Sequence, residues 1–388
     1  MSWNPAEARA LFPVTRRYAY FNAAANAPLA DPVRRAIHGY VEDLGAHGSL
    51  HYRDWFRATA ETRESAARLL GAAPEEIAFV RNTSEGINVV ANGLRLGAGD
   101  SVVLVRGDFP ANVHPWKRLE EDGVDVRLVE PDEWNRVTPA QIEAACDATT
   151  RVASVSWVSF TNGFRLDVAE LGARLHARGV LLFVDAIQGL GVLPIDLRSA
   201  EVDFLAADAH KWLLAPEGIG LFYVRRDRLD ALGMTFKSWL SVRDPFENAR
   251  YDSPLHPDAR RFEYATPNTA GIFALRAALA LLNDWGVDAI AAHVRELTDA
   301  LVDGLAARGY RVRSPRGDGE WSGIVAFDLG DGAPPDALPR VFAALDAAGV
   351  QVAGRGGLVR VAVHLYNDRS DVERLLDALP PSSSGSTG

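Results

Sequence analysis

The feature that most constrains this chain is a pair of apolar runs that each end in a reactive polar group. Val180 to Val184 delivers Asp185 at its C-terminal end, and Val202 to Ala207 leads into Asp208-Ala209-His210-Lys211. Short runs rich in branched and aromatic residues, bounded by polar ones, read as buried strands. Neighbouring strands of an open α/β sheet set their carboxyl ends on one rim, and such sheets bind their ligands there. A carboxylate and a lysine are therefore expected on the same rim. Lys211 is followed by Trp212-Leu213-Leu214 and by Gly218-Ile219-Gly220-Leu221-Phe222-Tyr223-Val224, so it lies between two buried-looking strands. Desolvation in such a place lowers an amine's pKa, which suits imine chemistry. An isolated Asp or Lys is ordinarily a cap or a solvated charge. It is the pairing that carries weight.

The pairing suits a pyridoxal phosphate enzyme, in which a lysine forms a Schiff base and an acid partners the pyridinium nitrogen. Gln188, three residues past Asp185, is placed to reach the ring hydroxyl. The runs V-D-x-x-Q (184–188), D-x-H-K-W (208–212) and G-x-G-x-x-Y-V (218–224) together resemble the class V aminotransferase family of fold-type I pyridoxal phosphate enzymes. That family includes cysteine desulfurases, selenocysteine lyases, isopenicillin N epimerase and kynureninase, and the resemblance covers most of the chain. It implies an α/β fold: a large domain with a mostly parallel seven-stranded sheet and a smaller α+β C-terminal domain. The expected divisions are 1–30, a segment packing on the small domain and the active site; 31–268, the cofactor-binding domain; 269–380, the small domain; and 381–388, a disordered tail of linker-like composition.

Composition agrees with an ordinary globular protein, since 48% of the 388 residues are hydrophobic and 24% charged. A net charge of -10 argues against nucleic acid or an anionic membrane surface as partner, because such binding relies on clustered Lys and Arg. The single cysteine, Cys146, leaves no intramolecular disulfide and no cysteine-based metal site, and no metal is expected. No secretion-type leader and no long apolar run is present, so a soluble, cytoplasmic enzyme is expected. No G-x-G-x-x-G follows the first strand, which argues against a Rossmann dehydrogenase.

Taken in order, residues 18–37 place a short aromatic strand before a small-residue turn and a helix whose first turn holds Asp31 and Pro32. This stretch resembles the family's N-terminal signature beside the cofactor, which implies substrate contacts for Asn22 and Asn26. The polar and aromatic stretch 45–57 runs into a helix, Trp55 to Leu70. In the family this region lines the substrate pocket, often across a dimer, so His47 and His51 are candidates for substrate contact or proton transfer. Ile77 to Val80 reads as a strand, and Arg81-Asn82-Thr83-Ser84-Glu85-Gly86 opens a helix near Ile87. A helix start offers free N–H groups and a favourable dipole to an anion. The resemblance gives the cofactor phosphate to Thr83 and Ser84. Ser101 to Arg106 is the next strand, followed by Phe109 where desulfurases have a histidine stacked on the cofactor ring; an aromatic ring stacks equally well.

Strands at 124–129 and 151–158 and helices at 138–148 and 168–178 continue the alternation, which indicates a mostly parallel sheet covered on both faces. Phe160 occupies the place of an asparagine that contacts the cofactor in desulfurases, with Asn162 and Gln188 as its substitutes. Asp208 stands where the family has a Ser or Thr bonding the phosphate; a carboxylate there repels a phosphate unless His210 or a cation mediates, and both Asp208 and His210 count as cofactor-binding candidates. Residues 233–262 read as an irregular lid or dimer contact. Arg261-Phe262-Glu263-Tyr264-Ala265-Thr266-Pro267-Asn268 resembles a family stretch whose threonine reaches the neighbouring subunit's cofactor, implying that Thr266 does so in a homodimer with shared sites. Helices follow at 270–285, 287–308 and 336–348, with strands at 324–329 and 358–363. Arg360 in Val359-Arg360-Val361 matches the family arginine that forks onto the substrate α-carboxylate, a task suited to a guanidinium.

The segment before it, residues 349–357, lacks the nucleophilic cysteine of desulfurases and selenocysteine lyases, which disfavours those activities. Together with the epimerase-like S-W-V-S-F-x-x-G-F-R-L stretch, this points to C-S β-lyase or epimerase chemistry on an amino acid or conjugate of secondary metabolism. Lys211 would hold the cofactor and move the Cα proton. Transamination is the alternative within the same chemistry, and a catalytically idle binding module the alternative outside it.

Overall fold

The computed structural model describes residues 3–247, 251–330 and 333–380; the expected tail at 381–388 lies outside the described residues. At its centre is a seven-stranded sheet in the order Ile77–Val80, Gly220–Val224, Phe204–Asp208, Leu181–Asp185, Thr150–Ser156, Ser101–Val105, Asp125–Val129. Gly220–Val224 runs antiparallel to both its neighbours, and the remaining pairs are parallel. The expected mostly parallel α/β fold is thus present.

Side chains alternate across each strand, and the alternation feeds two cores. Phe183, Phe204 and Phe222 point to one face, where Ile87, Val90 and Trp116 cover them. Val184, Leu205 and Leu221 point to the other, under Ala66, Leu175 and Ile272. Residues buried on both faces of a parallel sheet must be apolar nearly without interruption. That is why both runs that opened the sequence reading lie in the middle of the sheet.

The helix Thr83–Gly93 starts four residues earlier than the sequence pattern suggested, because Asn82 caps it by accepting from the Glu85 amide at 2.9 Å. It sits unusually close to the sheet. A Cβ on Gly86 would fall 2.6 Å from Ala206 Cβ, so glycine sets the approach. Closeness has a consequence at the rim: Thr83 Oγ1 accepts from the Asp208 amide at 2.9 Å, tying the helix start to the end of the strand that leads to Lys211.

The C-terminal part carries a four-stranded antiparallel sheet, in the order Ala353–Arg355, Leu358–Ala362, Ile324–Asp328, Arg311–Val312. Helices Val287–Ala307 and Arg369–Ala378 pack together closely, since a Cβ on Gly304 would meet Leu376 at 2.3 Å. The N-terminal strand Ala19–Tyr20 pairs with Val350–Gln351, and Asn22 bridges to Ala362. The stretch expected to be irregular holds the 3₁₀ turns Trp239–Ser241 and Ala259–Phe262 and a bridge from Val242 to Leu255. Among the described residues no single helix is long and apolar enough to cross a membrane.

Candidate active site

Asp185 closes the strand Leu181–Asp185, with Ala206 on one neighbouring strand and Ser156 on the other. Three residues past Phe204–Asp208, Lys211 sits in a loop that folds back on itself: Leu214 donates to the Lys211 carbonyl at 3.2 Å and Ala215 to the Ala209 carbonyl at 3.0 Å. Leu214 takes a left-handed φ of 61° to close it. Trp212 pins the loop from beneath. Its indole N–H donates to Gln188 Oε1 at 2.9 Å, and His364 Nε2 donates to its carbonyl at 3.1 Å. Burial pushes His364 down to about 3, so this imidazole is neutral and serves as a fixed donor.

Lys211 and Asp185 are both buried. Burial is the main cause that lowers the Lys211 pKa, with the charges of Arg360 and Arg355 adding to it and those of Asp185 and Asp208 opposing. Burial likewise raises Asp185, opposed by a 3.0 Å hydrogen bond from the Ile187 amide and reinforced by Asp108. Among the described residues Asp185 has no ion-pair partner within 4.0 Å. A desolvated carboxylate without a cation is expensive, and such a group marks a functional site.

Phe109 stands at the mouth, 41% exposed, with its ring centroid 5.7 Å from Lys211 Nζ and 5.2 Å from Phe160 in an edge-on contact. What fixes it is Asp108, whose carboxylate accepts from the Phe109 amide (2.6 Å), Asn112 Nδ2 (2.9 Å), and the Ser156 amide and hydroxyl (3.1 and 2.6 Å). Asp108 thereby joins the aromatic ring to the strand beside Asp185. Sequence reasoning missed it; its signal was a Gly-Asp pair at a strand end with an asparagine four residues on.

Arg360 lies in the strand Leu358–Ala362 and is 1% exposed. Nη1 donates to the Phe160 carbonyl at 2.7 Å, while Nε and Nη2 are buried without a partner among the described residues. Burial, with Arg355 adding, pushes its pKa down to about 10. Buried polar atoms are nearly always paired, so two unpartnered guanidinium nitrogens whose charge is felt at Lys211 are suited to binding an anion.

Thr83, Ser84, Asp208 and His210 meet at the helix start. The Asp208 side chain comes within 3.0 Å of His210 Nδ1, yet neither atom is aligned for a hydrogen bond. The Asp208 amide is what Thr83 binds, so the Thr83 hydroxyl already serves as an acceptor within the chain. Gln188 is buried, with its oxygen taken by Trp212 and one amide hydrogen by Ala24 (3.1 Å), which leaves one hydrogen free. Ala27 donates to the His210 carbonyl at 2.8 Å, so the N-terminal turn does border the lysine loop.

Other candidates point elsewhere within the single chain. Asn26 turns its amide to Glu217, while the Asn22 side-chain oxygen is buried without a partner among the described residues. His47 and His51 are exposed and share Asp43, at 3.0 and 2.6 Å. Thr266 is exposed beside Tyr264, Arg81 and Gly218. Asn162 is removed as a substitute cofactor ligand, because its side chain donates to the Trp134 and Arg313 carbonyls and accepts from Phe164.

The donor set suits pyridoxal phosphate: a desolvated amine, an unpaired carboxylate, a free-standing aromatic face and a helix start. Only Asp208 is at odds with a phosphate.

A family profile described as Aminotransferase class-V matches residues 19–375. The chain is 34% identical to a "Probable cysteine desulfurase" of Methanothermobacter thermautotrophicus, over 95% of each chain. It is 30% identical to an "Uncharacterized aminotransferase" of Bacillus subtilis, over 97% of each. Among solved structures, the apo cysteine desulfurase of Thermococcus onnurineus superposes with a TM-score of 0.87 at 27% identity, covering 97% of this chain and 98% of that one.

Proposed function

This chain belongs to the class V aminotransferase family of pyridoxal phosphate enzymes, and from that premise we propose that it cleaves a C–S bond at Cβ of an amino acid or amino-acid conjugate. The observation that carries the reading is Arg360, a buried guanidinium with two unpaired nitrogens beside a desolvated lysine. An α-carboxylate is the anion that satisfies both in an amino-acid enzyme.

Pyridoxal phosphate, when bound, supplies an electron sink for the charge released at Cα. Arg360 forks the substrate carboxylate and so orients Cα toward Lys211. Lys211 would hold the cofactor through its amine and, when that amine is free, would take the Cα proton; its lowered pKa suits that exchange. Asp185 would partner the cofactor's ring nitrogen, and Phe109 would offer the ring an aromatic surface. Thr83 and Ser84 offer the phosphate a helix start, and Gln188 offers its free hydrogen to the ring oxygen. Expelling sulfur from Cβ balances as conjugate plus water giving thiol, pyruvate and ammonium.

A persulfide held on the protein is disfavoured by the fate of Cys146. It is buried, its thiol donates to the Ile142 carbonyl at 3.3 Å, and burial pushes its pKa up to about 11. Such a thiol is a poor nucleophile. The segment 349–357, where a cysteine-bearing loop is expected in a desulfurase, runs into a hairpin of residues 353–360 closed by Gly356 and Gly357, both at positive φ.

The same reading gives residues 31–268 to cofactor binding and 269–380 to a small domain, with 1–30 docked on the latter through the Ala19–Tyr20 pairing. It also gives the enzyme a homodimeric form, in which exposed Thr266 and His51 serve the partner's site. The test is product analysis with S-substituted cysteines. Pyruvate and thiol in equal amounts, lost in Lys211→Ala, support elimination. Accumulation of the pyridoxamine form with a sulfur-retaining keto acid would show transamination instead, and loss of chirality at Cα without thiol release would show an epimerase.

A further inference from the structure

The hairpin that carries Arg360 carries a second arginine on the same side. Ala353 lies opposite Arg360 and Arg355 opposite Leu358. Because side chains alternate along strands and match across them, Ala353, Arg355, Leu358 and Arg360 share one face. The other face is assigned: Gly354 abuts Phe342 on the helix Ala337–Ala347, where a Cβ would sit 3.1 Å from its ring. The arginine face therefore points away from that helix, toward Phe160, to which Arg360 donates.

Arg355 is exposed, and its side chain donates to the carbonyl of its own neighbour, Gly354, at 2.9 Å. Among the described residues it has no acidic partner, in a chain of net charge -10. Its charge is nevertheless felt at the buried groups, lowering the pKa of both Lys211 and Arg360. An exposed arginine is ordinarily a solvated charge. This one is set in register with the carboxylate arginine, on the face that looks into the site.

We infer that Arg355 is a second anion-binding group of the substrate site, and that the preferred substrates are amino acids whose side chain ends in an acidic group, such as cysteine S-conjugates with a distal carboxylate. The inference rests on the reading of Arg360 as partner of the α-carboxylate. Diagonal neighbours on paired strands stand about 7–8 Å apart, comparable to the span between the two carboxylates of a short conjugate. Arg360, desolvated, fixes the constant end of the substrate; Arg355, at the mouth, reads the variable end.

Binding to the holoenzyme separates the terms without relying on turnover. L-2-Aminoadipate has the shape of S-carboxymethylcysteine with no leaving group at Cβ, and its side-chain amide is the neutral counterpart. By calorimetry the acid is expected to bind about tenfold tighter than the amide, as one charge-assisted contact gives. Arg355→Gln should bring that ratio close to one, and Arg355→Lys should keep most of it. Equal binding of the two probes by the unaltered enzyme overturns the inference, as does a ratio that survives in Arg355→Gln. Arg360→Met tells the two readings apart: it should weaken both probes by the same factor, and if it leaves both unweakened, the fault lies with the α-carboxylate assignment.

Discussion

Replacing Arg360 with methionine should make the protein more stable and less able to bind substrate. The guanidinium's pKa sits at about 10 against an ordinary 12.5. At about 1.4 kcal/mol per tenfold, the buried charge is held at a cost of about 3 kcal/mol. That cost is present in full at every pH below the depressed value, so it applies at neutrality. Methionine removes the charge and the two unpaired nitrogens while keeping an unbranched chain in the cavity. Against this stands the lost bond to the Phe160 carbonyl, whose removal costs about 1–2 kcal/mol. The balance favours the variant by about 1–2 kcal/mol. With an unfolding entropy of about 2.1 cal/mol/K per residue, a chain of 388 residues gains about 1–3 °C in Tm. Substrate affinity should fall about 30- to 150-fold, the worth of about 2–3 kcal/mol of charge-assisted hydrogen bonding. Scanning calorimetry of the cofactor-free protein and titration of the holoenzyme with an unreactive amino acid read the two effects. An Arg360→Met protein that melts several degrees lower yet binds the amino acid as before would refute the reasoning, because the arginine would then be a structural cation.

Four further outcomes follow from the same geometry. Capture of pyridoxal phosphate by the cofactor-free protein, followed by absorbance, should accelerate and level off at a pH well below the 10.5 of an ordinary lysine, because burial lowers Lys211; a profile still climbing above 10.5 would count against its desolvation. Burial raises Asp185 above its unfolded 3.8, so the folded state binds that proton more tightly and loses stability as pH rises through the interval between the two values. Cofactor-free Asp185→Asn should therefore be the more stable protein at pH 8 in urea unfolding, with the difference closing toward pH 4. Asp208→Ser removes a carboxylate from the phosphate end and should tighten cofactor binding by about 3- to 10-fold in equilibrium dialysis, whereas weaker binding would give Asp208 a positive role. Gly86→Ala forces a Cβ within 2.6 Å of Ala206 and should cost about 1–3 kcal/mol while lowering cofactor affinity, since Thr83 moves with the helix.

How far the sequence revealed this arrangement depended on the range over which each feature is encoded. Asp185 and Lys211 were legible because each ends an apolar run whose burial is dictated locally. The alternation of strands and helices was legible for the same reason, with boundaries displaced by a few residues. The displacement at Thr83 has a physical source: Asn82, not the Ser-Thr pair, caps the helix. Arg360 was legible as a charge in an apolar strand, but its unpaired nitrogens depend on what Phe160 supplies two hundred residues away in sequence. Asp108 and Arg355 were not legible, because their meaning lies in register: Asp108 in the meeting of two strand ends, Arg355 in which face of a hairpin it shares. His51, Thr266 and Asn26 came from resemblance, and within one chain they contact Asp43, the Tyr264 loop and Glu217 instead of Lys211.

The central claim is that Lys211 holds the cofactor, and the composition makes that claim sharply testable. The chain has three lysines, Lys117, Lys211 and Lys237, and Lys117 is already paired with Glu120 at the surface. Borohydride reduction of the holoenzyme followed by peptide mass spectrometry should find the pyridoxyl group on Lys211 alone. A label on Lys117 or Lys237, or no label on a protein that still turns over an S-substituted cysteine, would contradict the account.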